Sequence, residues 1–468
     1  VFLDYFSRLS ANPRIQADKV QWNQTARAVQ AIYSKYDDVV KVAQQRESER
    51  NLTSLCLRTI IEIAVCEAPE SEGEEATPRL VENLVDLVAV MIEIGADSDA
   101  VHSGFSAPRL SIEPSGFFET GTDAYRDVVI PYLSGYFHRQ FNEAIDSYDD
   151  LYREYTTSES EEFEEDDDFN RALSAEFGLS EGQVFNIGKC LLRAHLEHEL
   201  PICVWNKDEL VRYLGDAGAG DADNIACFLD AFSLPRRGGW DDFSGGYNFK
   251  DIAPWKFKRR LSCLCRPIIP VKSNQFLTSA FLLRQGFGYF LDLARDGLFI
   301  PEFFKSAEMR SYVGRKTAER GLWFNEVVAQ KLTEGGYETL KELDMSSFGK
   351  PELGDVDVIG IKGGRITLIE CKNLQMAKTI SEIADICNRF KGEEKDELAK
   401  HLARVGWINA NRDLVSRHLG MNRPIDDVKQ LLVTNTEIPI KYKEGLPIES
   451  GEIVSIAELQ EELMRRIG

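Results

Sequence analysis

The 468-residue chain lacks several features, and each absence excludes a class of protein. It has no apolar run of about eighteen residues, so no membrane-spanning helix is expected. No charged, cleavable leader opens it at Val1, which speaks against secretion. The first residue is not methionine, so a longer parent protein is expected. There is no Walker-type phosphate loop, and Gly286-Phe287-Gly288 is too short to replace one, so a nucleotide-driven motor is not expected. The nine cysteines are odd in number and follow no pairing pattern, which points to free thiols in a reducing cytoplasm. Positive charge is scarce as well. There are 55 Lys+Arg against 77 Asp+Glu, a formal net charge of -22, which is unusual for a protein that grips nucleic acid without selectivity.

That acidity is unevenly spread. From Lys305 to the end there are 25 Lys+Arg against 27 Asp+Glu, a net of -2, so the first 304 residues carry the remaining -20. The nearly neutral part also holds the most informative stretch. It reads Gly354-Asp355-Val356-Asp357-Val358-Ile359-Gly360, then a Gly-Gly turn, then Ile366-Thr367-Leu368-Ile369-Glu370-Cys371-Lys372. Two apolar strands meet at a tight turn, with charged groups at one tip. Side chains alternate along a strand, so Asp355 and Asp357 share one face, and Glu370 and Lys372 share another. Buried carboxylates are costly unless they bind something, and a hard divalent cation takes oxygen ligands. A second Glu-x-Lys, Glu393 and Lys395, lies in a polar run without a strand and reads as a solvated helix start.

Asp357 followed by Glu370-x-Lys372 resembles the PD-(D/E)xK motif of the restriction-endonuclease-like nuclease superfamily, with Gly354-Asp355-Val356-Asp357 as a variant of its first half and without the proline. The resemblance covers the last third of the chain. It implies a core of helix, three strands, helix and strand (αβββαβ), and metal-dependent cleavage of phosphodiesters. It implies that Asp357 and Glu370, with the Cys371 backbone carbonyl, hold Mg²⁺ or Mn²⁺, and that Lys372 sits beside the attacking water. Asp355 is a candidate for a second ion, or it is the polar end of a strand. Glu326, amid apolar residues on the preceding helix, matches an acid that many relatives aim at the metal; the alternative is that it faces water. The Cys371 side chain is expected in the core.

The flanks agree with that order. Phe324, Val327, Val328 and Leu332 are spaced as on a helix within Tyr312 to Leu332, and Tyr337 to Leu343 reads as a strand. Leu398, Leu402, Val405 and Ile408 mark a later helix, with Leu414, Val415 and Leu419 continuing it to Gly420. Leu431 to Thr434 and Ile453-Val454 read as strands. Ser455 with Glu458 forms a capping-box pattern.

The whole chain is expected to be multidomain. Residues 1–158 read as a mainly helical regulatory or targeting domain, with helices around Ile60 to Val65 and Pro78 to Ile94, an acidic loop over Glu67 to Thr77, an extended link at Arg109 to Pro114 and a long helix from Tyr125 to Tyr155. Residues 159–169 read as an acidic linker or, more sharply, a nucleic-acid mimic. Residues 170–304 read as a mixed α/β domain, and 305–468 as the nuclease-like domain. Trp255, Lys256, Phe257, Lys258, Arg259, Arg260, Arg266 and Lys272 form a basic and aromatic stretch that suits either a groove for nucleic acid or an amphipathic strand whose charges face water. Lys256, Lys258, Arg259 and Arg260 are the candidate nucleic-acid contacts. Cys263-Leu264-Cys265 fits an alternating strand better than a zinc site, and His195-Leu196-Glu197-His198 fits an exposed helix face.

These features together predict a cytoplasmic endonuclease that acts on DNA, of the kind found in microbial systems against foreign DNA. A homo-oligomer or a partner protein at the acidic region is expected to control it. A repair or junction-resolving nuclease, and a non-cleaving nucleic-acid scaffold, are the alternatives.

Overall fold

The structure is a computed structural model. It describes residues 36–68, 77–102, 110–112, 118–120, 125–133, 166–197 and 201–459, apart from 257, 272–273, 378, 394–395 and 422, and side chains from Asn51 onward. In chain order the described elements begin with α1 (Tyr36–Glu67), α2 (Pro78–His102), β1 (Leu110–Ile112) and β2 (Phe118–Thr120). Next come α3 (Asp167–Phe177), α4 (Glu181–Glu197), β3 (Ile202–Asn206), α5 (Lys207–Asp216), α6 (Ala222–Ala231) and α7 (Phe249–Ile252). They continue with β4 (Ile269–Pro270), β5 (Gln275–Ser279), α8 (Ala280–Arg295), α9 (Ala307–Glu334), β6 (Glu338–Asp344), β7 (Asp355–Lys362) and β8 (Arg365–Lys372). The last are α10 (Ile380–Arg389), α11 (Glu397–Ala410), α12 (Arg412–His418), β9 (Asp427–Thr434) and β10 (Ile453–Ser455). The protein is thus mixed α/β.

The chain divides into two compact units: Val1–Gly95 with Phe137–Thr317, and Ala96–Tyr136 with Ala318–Gly468. This division is composed otherwise than the four successive segments of the sequence reading.

The first unit is mainly helical, around an aromatic core. Phe177, Phe228, Phe232 and Phe290 meet at ring-centroid distances of 4.4 to 6.3 Å. A three-stranded antiparallel sheet, in the order β3-β5-β4, lies in the same unit. The last acids of the expected linker are part of this fold. Asp166 caps α3 by accepting from the N–H groups of Asp168 and Phe169, and Asp167 and Asp168 occupy its first turn, where the helix dipole favours negative charge. Residues 159–165 lie outside the described residues.

In the second unit β6, β7 and β8 form an antiparallel meander, and β9 and β10 add in parallel, giving the order β10-β9-β8-β7-β6. Gly363 and Gly364, at φ 60° and 86°, make the two-residue turn between β7 and β8 that requires left-handed backbone. The helices α10 to α12 form the crossover that a parallel β8–β9 pair needs. Phe324, Val328 and Leu332 of α9 share a buried cluster with Val358, Ile369 and Cys371. Ile408 and Val415 of α11 and α12 share another with Ile359, Ile366 and Leu368. Alternation along β8 therefore sends Cys371 to the α9 side, and Glu370 to the α11 side.

Several local expectations change. The helical stretch after Leu398 breaks at Asn411 (φ -124°, ψ 34°) into two helices. The link at Arg109 to Pro114 contains strand β1, paired with β2. Of the long helix expected from Tyr125, a π-helical turn Tyr125–Val129 and the helical residues to 133 are described, and the rest lies outside the described residues. The basic stretch from 254 to 266 is turns and not a strand, and Cys263 and Cys265 are both buried within it.

Candidate active site at the ends of β7 and β8

Asp357 and Glu370 lie on neighbouring strands. The β7–β8 ladder ends at the pair Val358 and Ile369, and Asp357 and Glu370 are the next residues on the two strands. Asp357 Oδ2 accepts a 2.8 Å hydrogen bond from the Cys371 N–H. Lys372 Nζ stands 2.8 Å from Glu370 Oε1 and 3.4 Å from Glu397 Oε2. The β6–β7 pairing skips one step here: it runs from Lys341↔Val358 to Leu343↔Val356. The residue left between, Glu342, has φ 54°, a left-handed conformation costly for a side chain other than glycine or asparagine. Val356 and Val358, on either side of Asp357, fall in different buried clusters.

A helix face completes the site. Glu397, His401 and Arg404 follow one another at i, i+4 and i+7 on α11, one above another on one side of the helix. Asp396 fixes the start of this helix by accepting from the Ala399 N–H at 2.7 Å. Arg404, buried, donates to Glu370 Oε2 at 2.7 Å and also to the Asp355 carbonyl, so it ties the ends of both strands together. Arg389 holds Glu397 at 2.7 Å. His401 Nδ1 lies 3.8 Å from Glu370 Oε2, and its Nε2 is buried without a hydrogen-bond partner.

The electrostatics follow from burial. Glu370 is 4% exposed. Burial raises its carboxyl above the usual range, the Asp357 charge raises it further, and Lys372 and Arg404 pull it partly back. Burial likewise raises Asp357, against the pull of Lys372 and the Cys371 N–H. For Lys372, burial works downward, but Glu370 and Asp357 together hold the ammonium above its ordinary value. His401 is pushed down to about 3 by burial and then by Arg404 and Lys372, so its imidazole is neutral and its contact with Glu370 is not an ion pair.

Among the described residues no group of three or more His, Cys, Asp or Glu could hold a metal. Two carboxylates are nevertheless a donor set that suits Mg²⁺, which keeps several of its waters. Burial raises both acids, and the Asp357 charge raises Glu370 further, a repulsion that a dication between them would relieve.

With this geometry in place, the comparisons decide the relationship. The family model described as anti-phage protein Upx-like matches residues 4–459. The chain belongs to the Upx-like anti-phage protein family. Its role is in phage defence. No curated protein and no solved structure matches the chain. No helix among the described residues of this Upx-like protein is long and apolar enough to cross a membrane.

The remaining candidate residues are dispersed. Glu326 is exposed on α9 and paired with Lys341 of β6, which is the water-facing alternative. Asp355 is exposed and pairs with Asp344 in the β6–β7 ladder. In the first unit, Arg259 is buried and bound to both oxygens of Glu62. Arg260 holds Asp251 at 2.6 and 2.8 Å. Both guanidinium groups, Arg259 buried and Arg260 half-buried, are thus engaged by carboxylates of the same unit. Lys256 is half-buried and Lys258 exposed; Phe257 and Lys272 lie outside the described residues. His195 is buried, with Nε2 3.0 Å from Thr278 Oγ1 and Nδ1 3.4 Å from Cys203 Sγ, so it does not belong to an exposed face; His198 lies outside the described residues.

Three site residues, Glu397, His401 and Arg404, escaped the sequence reading. Their signal was a histidine and an arginine inside the helical arc of Leu398, Leu402, Val405 and Ile408, where a solvated helix would carry apolar groups only.

Proposed function

We propose that this Upx-like protein defends against phage as a divalent-metal-dependent nuclease that hydrolyses phosphodiesters of invading DNA. One observation carries the reading: Asp357 and Glu370 come next after the last pair of the β7–β8 ladder, Asp357 is bound to the Cys371 N–H, and Lys372 stands 2.8 Å from Glu370. Asp357 and Glu370, with the Cys371 carbonyl, would hold the ion. A bound Mg²⁺ or Mn²⁺ would neutralise the phosphate and supply an activated water. The protein's own part is positional. The Cys371 N–H fixes Asp357, Arg404 fixes Glu370, and Lys372 presents a cation to the charge that develops during attack. The raised pKa of Lys372 keeps that cation charged throughout the physiological range.

A second reading, a binder of nucleic acid that does not cut, is favoured by one fact: both oxygens of Glu370 are already engaged by Lys372 and Arg404. One assay separates the two. The purified chain is incubated with Mg²⁺ or Mn²⁺ on linear, circular, single-stranded and branched DNA. Cleavage that chelation abolishes is expected; binding without cleavage under every condition would leave the second reading. Preference for branched substrate would make the enzyme a junction-resolving nuclease.

A further inference from the structure

Apart from the exposed Asp355, the charged groups around Glu370 at the ends of β7 and β8 balance without any metal. Asp357 and Glu370 contribute two negative charges, Lys372 and Arg404 two positive ones, and Arg389 and Glu397 cancel each other. The buried Glu370 and the half-buried Asp357 alone would attract a dication strongly. The two resident cations remove that attraction, because a dication entering the site would leave an excess of two positive charges in a place poor in water. A phosphodiester and a hydroxide each bring one negative charge and would restore the balance. Of the two cations, Lys372 is 23% exposed and sits at the strand end, whereas Arg404 is 7% exposed. Arg404 is also locked from three directions: by Glu370, by the Asp355 carbonyl and by the Lys400 carbonyl. It cannot swing out to make room for an ion without leaving all of them.

We propose that Arg404 is a resident counter-ion and positioning residue that makes divalent-cation binding at Asp357 and Glu370 conditional on an anionic phosphate ligand. The proposal rests on the metal-dependent nuclease reading and adds a control to it: without nucleic acid the site stays largely metal-free and inert.

The test is calorimetric titration of Mn²⁺ into the full chain, which needs no catalysis. Wild type is expected to bind Mn²⁺ weakly. Arg404→Gln, which removes one positive charge, is expected to bind Mn²⁺ at least about tenfold more tightly while losing cleavage, because Glu370 is no longer held. Arg404→Lys, which keeps the charge, is expected to bind Mn²⁺ as wild type does. Equal or weaker binding by Arg404→Gln overturns the proposal and leaves the nuclease reading intact. Should Arg404→Gln not fold, wild type alone decides. Thymidine 5′-monophosphate, which has no diester to cut, is expected to tighten Mn²⁺ binding beyond the nucleotide's own affinity for the ion, and no tightening overturns the proposal. If wild type and Arg404→Gln both fail to bind Mn²⁺ with or without the nucleotide, both this proposal and the metal-dependent reading fall.

Discussion

Tyr132 donates a hydrogen bond from its hydroxyl to the carbonyl of Ala377, 245 residues further along the chain. Tyr132 is 1% exposed and, with Val129, is packed in one cluster with Leu374, Ile383, Phe390 and Ile453. A segment from the N-terminal third is therefore part of the core that carries the candidate site. Tyr132→Ala is expected to destabilise that unit by about 3–5 kcal/mol, as emptying a large buried aromatic position does. A thermal melt of the full chain, compared with Tyr132→Phe, measures it. The phenylalanine variant loses one hydrogen bond, worth about 1 kcal/mol. Cutting the chain at Lys305 to isolate the nuclease-like part would remove Tyr132 and Val129, so such a fragment is expected to melt earlier than the full chain.

Glu62→Gln should reveal what the Arg259 guanidinium is for. Both groups are buried, and Glu62 also accepts from the Cys263 N–H at 2.9 Å. Leaving Arg259 charged and unpaired costs about 3–5 kcal/mol. Chemical denaturation is expected to show that loss. DNA affinity per folded molecule is expected to stay the same, and a drop in affinity without a drop in stability would return Arg259 to a binding role.

Why the site was half legible is a matter of distance along the chain. Asp357, Glu370 and Lys372 stand within one hairpin, so alternation and a Gly-Gly turn suffice to bring them together. The order of helix and strands after Ala307 was legible for the same reason, since each element announces itself by its own period. Arg404 and Glu370 meet only because a right-sized crossover returns α11 over β8, and no local period encodes that. The partners of the basic stretch were not legible, because sequence shows charge but not partner: Arg259 answers Glu62, and Arg260 answers Asp251. The left-handed φ of Glu342 was not legible either, since a residue other than glycine does not advertise it.

Asp357 gives a pH prediction. Burial and, to a lesser degree, the neighbouring Asp355 charge raise its folded pKa above the unfolded value, against the pull of Lys372, the Cys371 N–H and Arg404. The folded chain therefore binds more protons than the unfolded chain between those two values, and ionising Asp357 costs stability as pH rises through that window. Asp357→Asn keeps an oxygen for the Cys371 N–H and removes the charge. It is expected to raise the melting temperature at pH 8 and to lose this advantage as pH falls toward 4. Added Mn²⁺ together with DNA should stabilise wild type and leave the variant unmoved. A variant less stable than wild type at pH 8 would mean that the carboxylate charge is compensated in the fold.

Lys372→Ala separates chemistry from folding. The side chain is 23% exposed, and when it is removed Glu370 keeps Arg404 at 2.7 Å, so the buried carboxylate is not orphaned. The melting temperature is therefore expected to change little. The cation beside the reacting phosphate is lost, and groups of that kind are worth about 10²–10³-fold in rate. Cleavage of DNA should fall by at least about a hundredfold, and protection of cells in a phage plaque assay should fall with it. Arg404→Lys serves as a control for charge alone, since it restores nothing at the position of Lys372. Undiminished cleavage by Lys372→Ala, in preparations whose Asp357→Ala counterpart is inactive, would show that the lysine only neutralises Glu370 and takes no part in the attack.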